Sequence, residues 1–349
     1  MKIAIVGANG QVGTELSFLL RSQGVDAVPI VRSRLGAAFL RHHDFSCRIA
    51  DVSNASEAEL VLRDADAVIL SVIVSDVGGP SKQSRRINDA ILRNAILHTR
   101  KDARVIFFSS IRAFSRRVDP STPWWGMPYD REKRRAERLL LKLCAKEGKL
   151  GYAFRLGHVF GKNQAKTRKI QEILAGEEPV LLAVERERPS NIVHTVTIAD
   201  AVLRAANTDL SPGVYSVVNA PQWTWGEVAG YYAGGRQLAF SQRKSGTDRR
   251  FVGMLQKALM SLTSFTLKHG RAVFAPVRPK LLPTSLDQYI QFRAIMQKVK
   301  SEIRQTNPAV QPSAQIPEFG YLPIPGPFIQ GLTDTRDLLD SADIPDGIF

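Results

Sequence analysis

Short apolar runs alternate with amphipathic stretches along the first 160 residues. Lys2–Val6 is continuously apolar after its first residue, and Ala67–Val74 and Arg104–Ser109 are rich in Val, Ile and Phe. Runs of this kind predict strands buried on both faces. Ala27–Val31 predicts a second strand and Cys47–Ala50 a weak third. Between them, Gln11–Ser22 turns Val12, Leu16, Leu19 and Leu20 inward at helical spacing, and Ser56–Arg63, Ser84–Leu97 and Pro128–Glu147 predict further helices. Regular alternation of strand and helix predicts an α/β fold with a parallel sheet covered on both faces. Gly151–Leu156 and Gly213–Val218 read as further strands, and Ile198–Ala206 as a helix.

From about residue 220 the pattern changes. Two helical stretches, roughly 250–268 and 285–304, are joined by a Pro-containing connector. The segment from Asn307 carries Pro308, Pro312, Pro317, Pro323, Pro325 and Pro327, which predicts extended chain wrapped on the surface. No internal repeat is present.

Composition changes this picture little. With 349 residues, 44% hydrophobic and 23% charged, the chain can bury a large core as one domain or two. Cys47 and Cys144 lie far apart with no second Cys or His at ligand spacing. No disulfide framework or metal site is expected, and a reducing cytoplasm is the expected compartment. The N-terminal apolar run is too short for a secretory signal, and the stretch from Ala65 to Val77 is too short to span a bilayer.

Charge is more informative. The net charge of +15 is unevenly placed: residues 243–304 hold 13 Lys/Arg against 3 Asp/Glu, and residues 305–349 hold 6 acids against 1 base. A solvated basic face with a compensating tail is one reading. A docking surface for phosphorylated substrate, or peripheral contact with anionic lipid through residues 243–304, is the other. Nucleic acid is not an expected partner, because no reader motif accompanies the charge.

The first chemical motif is Gly7-Ala8-Asn9-Gly10-Gln11-Val12-Gly13, between the first strand and the first helix. A glycine-rich turn there lets the backbone approach a pyrophosphate, whose charge meets the positive end of the helix. Gly7 suits the tight turn, Gly10 the close approach and Gly13 the packing of helix on strand, which predicts dinucleotide binding. The second strand ends Val31-Arg32-Ser33-Arg34, with cations where an acidic residue would favour NAD. Arg32 and Ser33 therefore suit a 2′-phosphate, so NADP is the expected cofactor and NAD the second choice. Arg32 stacked on the adenine or turned to solvent is the plainer reading. Asp51-Val52, after the third strand, is placed to meet the adenine amino group, although an Asp there is also a routine turn former.

The second motif is Tyr129-Asp130-Arg131-Glu132-Lys133. Four-residue spacing puts the phenol and the ammonium on one helical face, where the cation stabilises the phenolate. Such a tyrosine can protonate a carbonyl oxygen during hydride delivery, or deprotonate a hydroxyl in the reverse direction. Glu137 and Leu140 extend the pattern. Ser110, ending the preceding strand in Phe107-Phe108-Ser109-Ser110, can hydrogen-bond the reacting oxygen, or the serines can simply end the strand.

Taken in order, these pieces resemble the extended short-chain dehydrogenase/reductases of the NAD-dependent epimerase/dehydratase family. Also matching are Arg155-Leu156-Gly157-His158-Val159-Phe160-Gly161, Asn191-Ile192-Val193-His194, Ile198-Ala199-Asp200-Ala201 and Gly213-Val214-Tyr215-Ser216-Val217. The resemblance spans roughly residues 1–230. It implies a doubly wound parallel sheet, the Rossmann fold, with a smaller C-terminal α-rich substrate domain. The expected division is 1–162 for the NAD(P)-binding domain, completed by about 193–218. Residues 163–192 and 219–305 would form the substrate domain and 306–349 a proline-rich acidic tail. The resemblance also implies Ser110, Tyr129 and Lys133 as catalytic triad, with Tyr129 and Lys133 also touching the cofactor. His158 and His194 are expected to be structural.

Departures from the pattern narrow the chemistry. Val68-Ile69-Leu70-Ser71-Val72-Ile73 is bulkier than the family's usual fourth-strand ending. Arg112 and Phe114 stand where a small residue and a tyrosine usually follow the catalytic serine. No Asp-Glu pair follows Ser110, which disfavours dehydration. Trp124 and Trp125 fall on a loop that should border the substrate, to stack a base or sugar or to pack beneath the loop. Lys162, Lys166, Arg168, Arg186 and Arg188 flank the expected substrate segment and are candidates to hold a diphosphate, and Arg112 is a further candidate substrate contact. The family's common dimer helix is here very basic, so the oligomeric state stays open. The expected function is NADP-preferring reduction of a keto group on a nucleotide-activated sugar. Nucleotide-sugar epimerisation is the second reading, and a non-catalytic NAD(P)-binding sensor or scaffold a third from another class.

Overall fold

The computed structural model describes residues 1–74, 81–114, 128–161, 164–174, 180–182, 185–234 and 238–240. Its elements run β1 (Lys2–Val6), α1 (Gln11–Ser22), β2 (Asp26–Val31), α2 (Arg34–His42), β3 (Arg48–Ile49), α3 (Ala55–Leu62), β4 (Ala67–Leu70) and α4 (Lys82–Leu97). There follow β5 (Arg104–Ser110), a 3-10 turn (Ile111–Phe114), α5 (Pro128–Lys146), β6 (Leu150–Leu156), β7 (His158–Phe160) and α6 (Ala165–Leu174). The last are β8 (Val180–Leu182), β9 (Ile192–His194), α7 (Thr195–Ala206), β10 (Gly213–Val217), α8 (Trp225–Ala233) and β11 (Leu238–Phe240).

Seven strands form one parallel sheet in the order β10-β6-β5-β4-β1-β2-β3. The apolar runs explain it directly, because successive residues serve opposite faces. Ile3, Ile5, Ala67, Ile69, Ile106 and Phe108 enter the core under α1, α2 and α7. Ala4, Val6, Val68, Leu70, Val105 and Phe107 enter the core under α3, α4 and α5. This is the doubly wound Rossmann arrangement, with order reversing beside β1, and its ligand crevice lies at the carboxyl ends of the strands. A smaller cluster joins Phe160, Ile170, Leu174, Leu182, Ile192, Trp223, Trp225 and Val228. It is supported by the two-stranded pairs β7–β9 and β8–β11.

Differences from the sequence pattern have physical reasons. The fourth strand stops at Leu70 rather than Val74, because its partner β1 ends at Val6 and the chain then folds over the first glycine turn. Helix α2 was not anticipated: Ser33 caps it through the backbone N–H of Gly36 at 3.0 Å. Helix α7 starts at Thr195 rather than Ile198, with the His194 side chain at its N-cap. The helical stretches expected at 250–268 and 285–304, and the proline-rich tail, lie outside the described residues.

Candidate active site

The cradle is built by what its residues lack. Gly7 has φ of +81°, and a Cβ there would stand 2.9 Å from Val72 Cβ and 3.0 Å from the Ser71 carbonyl oxygen. A Cβ on Gly13 would stand 2.6 Å from the Gly7 carbonyl oxygen and 2.9 Å from Ala8 Cα, so helix and turn touch backbone to backbone. Gly10 is the N-cap of α1 with no side-chain cap, and no acid occupies the first turn. The backbone N–H groups at this helix end, including those of Gln11 and Val12, present a fixed positive end to an anion. A dinucleotide pyrophosphate fits these residues, and the nicotinamide it carries supplies or takes the hydride. Asn9 packs its amide over the start of α2, where a Cβ on Gly36 would come within 3.0 Å. Gly36, the third residue of α2, thus leaves room for the Asn9 amide beside the glycine turn.

At the other candidate cofactor positions the structure assigns mixed duties. Arg32 is exposed at the end of β2. Ser33 serves as the cap of α2. Asp51 acts as a turn former: its Oδ1 accepts from Ser53 N at 2.9 Å and Ser53 Oγ at 2.7 Å. Val52 is buried, and its carbonyl accepts from Asn94 Nδ2 at 2.9 Å.

Across the carboxyl edge of the sheet, β5 and α5 bring the second motif together. Ser110 ends β5, and its hydroxyl hydrogen-bonds Tyr129 near the start of α5. Lys133, one turn on, is buried and donates through Nζ to the Phe108 carbonyl oxygen at 2.6 Å. The same nitrogen lies 5.8 Å from the Tyr129 ring centroid and 4.8 Å from that of Phe107. Burial pushes the Lys133 ammonium down to about 8, opposed by the charge of Glu137. Burial raises Tyr129 above the ordinary phenol value, while the Ser110 hydrogen bond and the Arg112 charge oppose that rise. The phenol is therefore protonated at neutral pH, in the form needed to donate a proton.

Behind this pair lies a buried ionic node. Glu137 Oε1 accepts from Ser109 Oγ at 2.5 Å and from Arg155 Nε at 2.8 Å, and Glu137 Oε2 accepts from Arg155 Nη2 at 2.7 Å. The bidentate pair ties α5 to β6 and holds the end of β5 through Ser109. Arg112 turns to Asp130, with Nε 3.0 Å from Oδ1, so a guanidinium lies beside Tyr129.

One component is not visible in any motif. Glu15 of α1 is fully buried and accepts from Gln164 Nε2 at 2.5 Å and from Thr195 Oγ1 at 3.0 Å. A Cβ on Gly161 would collide with the same carboxylate. Glu15 thus ties the cradle helix to Gln164 and to the start of α7. The available signal was its position beside inward-facing Leu16 and four residues before inward-facing Leu19. His194 is structural: its Nδ1 accepts from Val196 N at 3.4 Å, and burial pushes its imidazole down to about 4. His158 lies in β7 with its ring 5.8 Å from that of Trp225. Arg188 is partly exposed, 3.9 Å from Glu185, and its carbonyl holds Trp225 N at 2.9 Å. Trp124, Trp125 and Lys162 lie outside the described residues. Among the described residues no cluster of three His, Cys, Asp or Glu is placed to hold a metal ion. No helix among them is long and apolar enough to cross a membrane.

The model of the NAD dependent epimerase/dehydratase family matches residues 3–218. The chain belongs to that family, and it is an NAD(P)-dependent enzyme of the extended short-chain dehydrogenase/reductase type. Solved structures with the same fold include UDP-N-acetylglucosamine 4-epimerase from Bacillus cereus, at 17% identity and a TM-score of 0.55, covering 69% of this chain and 85% of that one. UDP-glucuronic acid 4-epimerase from Bacillus cereus, in complex with UDP-glucuronic acid and NAD, is 17% identical with a TM-score of 0.53, covering 70% and 87%. A GalE-like L-threonine dehydrogenase from Cupriavidus necator, holo form, is 19% identical with a TM-score of 0.53, covering 70% and 86%. A search of curated proteins gave no match.

Proposed function

We propose that the protein reduces a keto group on a nucleotide-activated sugar, using a nicotinamide dinucleotide held at Gly7–Gly13. The observation that carries this reading is the gathering of Ser110, Tyr129 and Lys133 at the same sheet edge as the glycine turn. Tyr129 donates the proton to the carbonyl oxygen as hydride arrives at carbon. Ser110 holds that oxygen, and Lys133 stabilises the phenolate left behind. Arg32 supports a preference for NADPH, because an exposed guanidinium at the end of β2 suits a 2′-phosphate. Residues 163–192 and 219–305 are the substrate-side part of this reading, with Arg112, Arg188, Trp124 and Trp125 as its candidate contacts.

Epimerisation with retained NAD is the second reading, supported by the 4-epimerase identity of several structural neighbours. Fluorescence titration with NADPH and NADH separates the two, using wild type and Arg32→Ala. NADPH binding that is tighter by at least tenfold and collapses in the variant is the expected result. NADH binding as tight or tighter, unaffected by the substitution, favours the epimerase. Stoichiometric NADPH oxidation with a UDP-4-keto sugar supports reduction, whereas epimerisation gives no net consumption.

A further inference from the structure

Helix α6 is seated at its far end by packing and at its start by one carboxylate. Ile170 and Leu174 are buried in the small cluster with Trp223, Trp225 and Val228. Gln164, whose carbonyl accepts from Arg168 N at 3.1 Å and so opens the helix, is itself buried. Its Nε2 donates to Glu15 Oε2 at 2.5 Å, and Thr195 at the start of α7 donates through Oγ1 to Glu15 Oε1 at 3.0 Å. Both carboxylate oxygens are thus engaged, and they join α1 to partners 149 and 180 residues away in the chain.

The surroundings are shaped to this joint. A Cβ on Gly161 would stand 2.8 Å from Glu15 Oε2 and 2.8 Å from Thr195 Oγ1, so the chain leaving β7 passes where only glycine fits. Gly161 N donates to Thr167 Oγ1 at 3.0 Å, which ties the first turn of α6 to the same point. Helices α6 and α7 both meet the carboxylate at their amino ends, the favourable sense for a helix terminus. Glu15 itself stands one turn behind Gln11, in the helix whose start presents N–H groups to a pyrophosphate. Lifting the start of α6 by itself would take a donor from this buried carboxylate, which links that motion to α1.

We propose that Glu15 is a positioning residue that makes the start of α6 and the dinucleotide cradle one cooperative unit, so that a bound dinucleotide fixes the substrate-side helix as well as its own turn. That role rests on dinucleotide binding at Gly7–Gly13 and on the reading of α6 as substrate-side. A ligand slows amide exchange only where the opening also breaks its site, and at about 100 times Kd the slowing reaches up to about 100-fold. Amides of an α6 joined to α1 through Glu15 share that slowing, whereas those of an α6 that opens independently do not.

The test is hydrogen–deuterium exchange of the full chain, with and without NADPH (or NADH, if it binds more tightly) at about 100 times each variant's own Kd. In wild type the dinucleotide should slow residues 168–174 by at least about tenfold, along with the first turns of α1. Glu15→Leu removes both acceptors and should cut the α6 slowing to less than about twofold while α1 keeps its own. Gln164→Leu breaks the joint from the other side with α1 untouched, and should do the same where Glu15→Leu does not fold. Glu15→Gln can accept from Gln164 and donate to Thr195, so its α6 slowing should stay within about threefold of wild type. Slowing of α6 that persists in Glu15→Leu or Gln164→Leu overturns the proposal, because the helix then senses the ligand without Glu15. So does a wild-type α6 that exchanges equally in both states, or a Glu15→Gln variant that loses as much as Glu15→Leu. Slowing lost equally from α1, β1, β4 and α6 would mark a purely structural role and overturns it too. The exchange measurement contains no substrate, so a UDP-4-keto sugar that is not reduced removes the reductase reading and leaves this result standing.

Discussion

The two halves of the site are made in opposite ways. The cradle at Gly7–Gly13 works through backbone and missing side chains, and its tolerances are distances between main-chain atoms and an absent Cβ. The Ser110–Tyr129–Lys133 corner works through buried charge, and each of its groups depends on another several residues away. Lys133 is set by burial and by Glu137, which is held in turn by Arg155 and Ser109. Steric sites fail locally when altered, whereas electrostatic sites redistribute the fault. That contrast can be broken or sharpened by four measurements.

The largest effect is expected for Tyr129→Phe, which removes the proposed proton donor but no part of the glycine turn. Turnover should fall by roughly 100-fold or more, while dinucleotide affinity changes less than twofold. Equal loss of both would mean the two halves are not separate. Next comes Gly13→Ala, whose Cβ meets two backbone atoms inside 3.0 Å. Dinucleotide affinity should drop by roughly 100-fold, because the first turn of α1 must move away from the pyrophosphate. Gly24→Ala is its control: its φ is positive, unlike that of Gly13, and a Cβ there meets nothing within 4 Å. Its expected effect is about 1 kcal/mol of stability and none on binding.

Glu15→Ala tests the bridge between the halves. It strips the acceptor from two buried donors, Gln164 Nε2 and Thr195 Oγ1, and should destabilise by about 2–3 kcal/mol in urea melts. Glu15→Gln keeps the volume and should cost less. An Ala variant as stable as wild type would remove Glu15 from the framework.

The last effect appears only within a window of pH. Lys133 has its ammonium lowered from an ordinary 10.5 to about 8 in the folded protein. Between those values the unfolded chain binds more protons than the folded one, so stability rises with pH across that window. Relative to Lys133→Met, wild type should therefore gain stability from about pH 8 to about pH 10, by up to about 3 kcal/mol. Below that window the buried ammonium is a constant penalty. Glu137→Gln removes the one charge that holds Lys133 up, so the basic limb of the pH–rate profile should move to lower pH. A limb that stays in place would assign it to another group.

Much of this frame was legible beforehand, for identifiable reasons. The strands that serve both faces read as unbroken apolar runs, and all seven sheet strands were placed, six within one residue of their observed limits and the fourth overrun by four. The glycine turn and the Tyr-xxx-Lys spacing are local patterns, so they survive translation into structure. Helix α2 was not read from the sequence, although Ala37, Phe39 and Leu40 share its buried side; it is only nine residues long and starts from the Ser33 cap directly after β2. Nor were β7, β8, β9 and β11, which are three residues each and take their order from the Phe160–Trp223–Trp225 cluster. The Asp51 carboxylate settled into a turn with Ser53, an outcome its neighbours allowed but did not require.

The alternation, the doubly wound class, the glycine turn and the helical face shared by Tyr129 and Lys133 followed from the order of residues alone. All of these depend on residues within a turn or a strand of one another, where spacing alone sets direction. The packing of the layers is what brings Glu15 to Gln164 and Thr195 and clamps Glu137 against Arg155. These contacts join residues brought together by the stacking of helices on a sheet, and whether a buried charge finds a partner is settled only when those layers close.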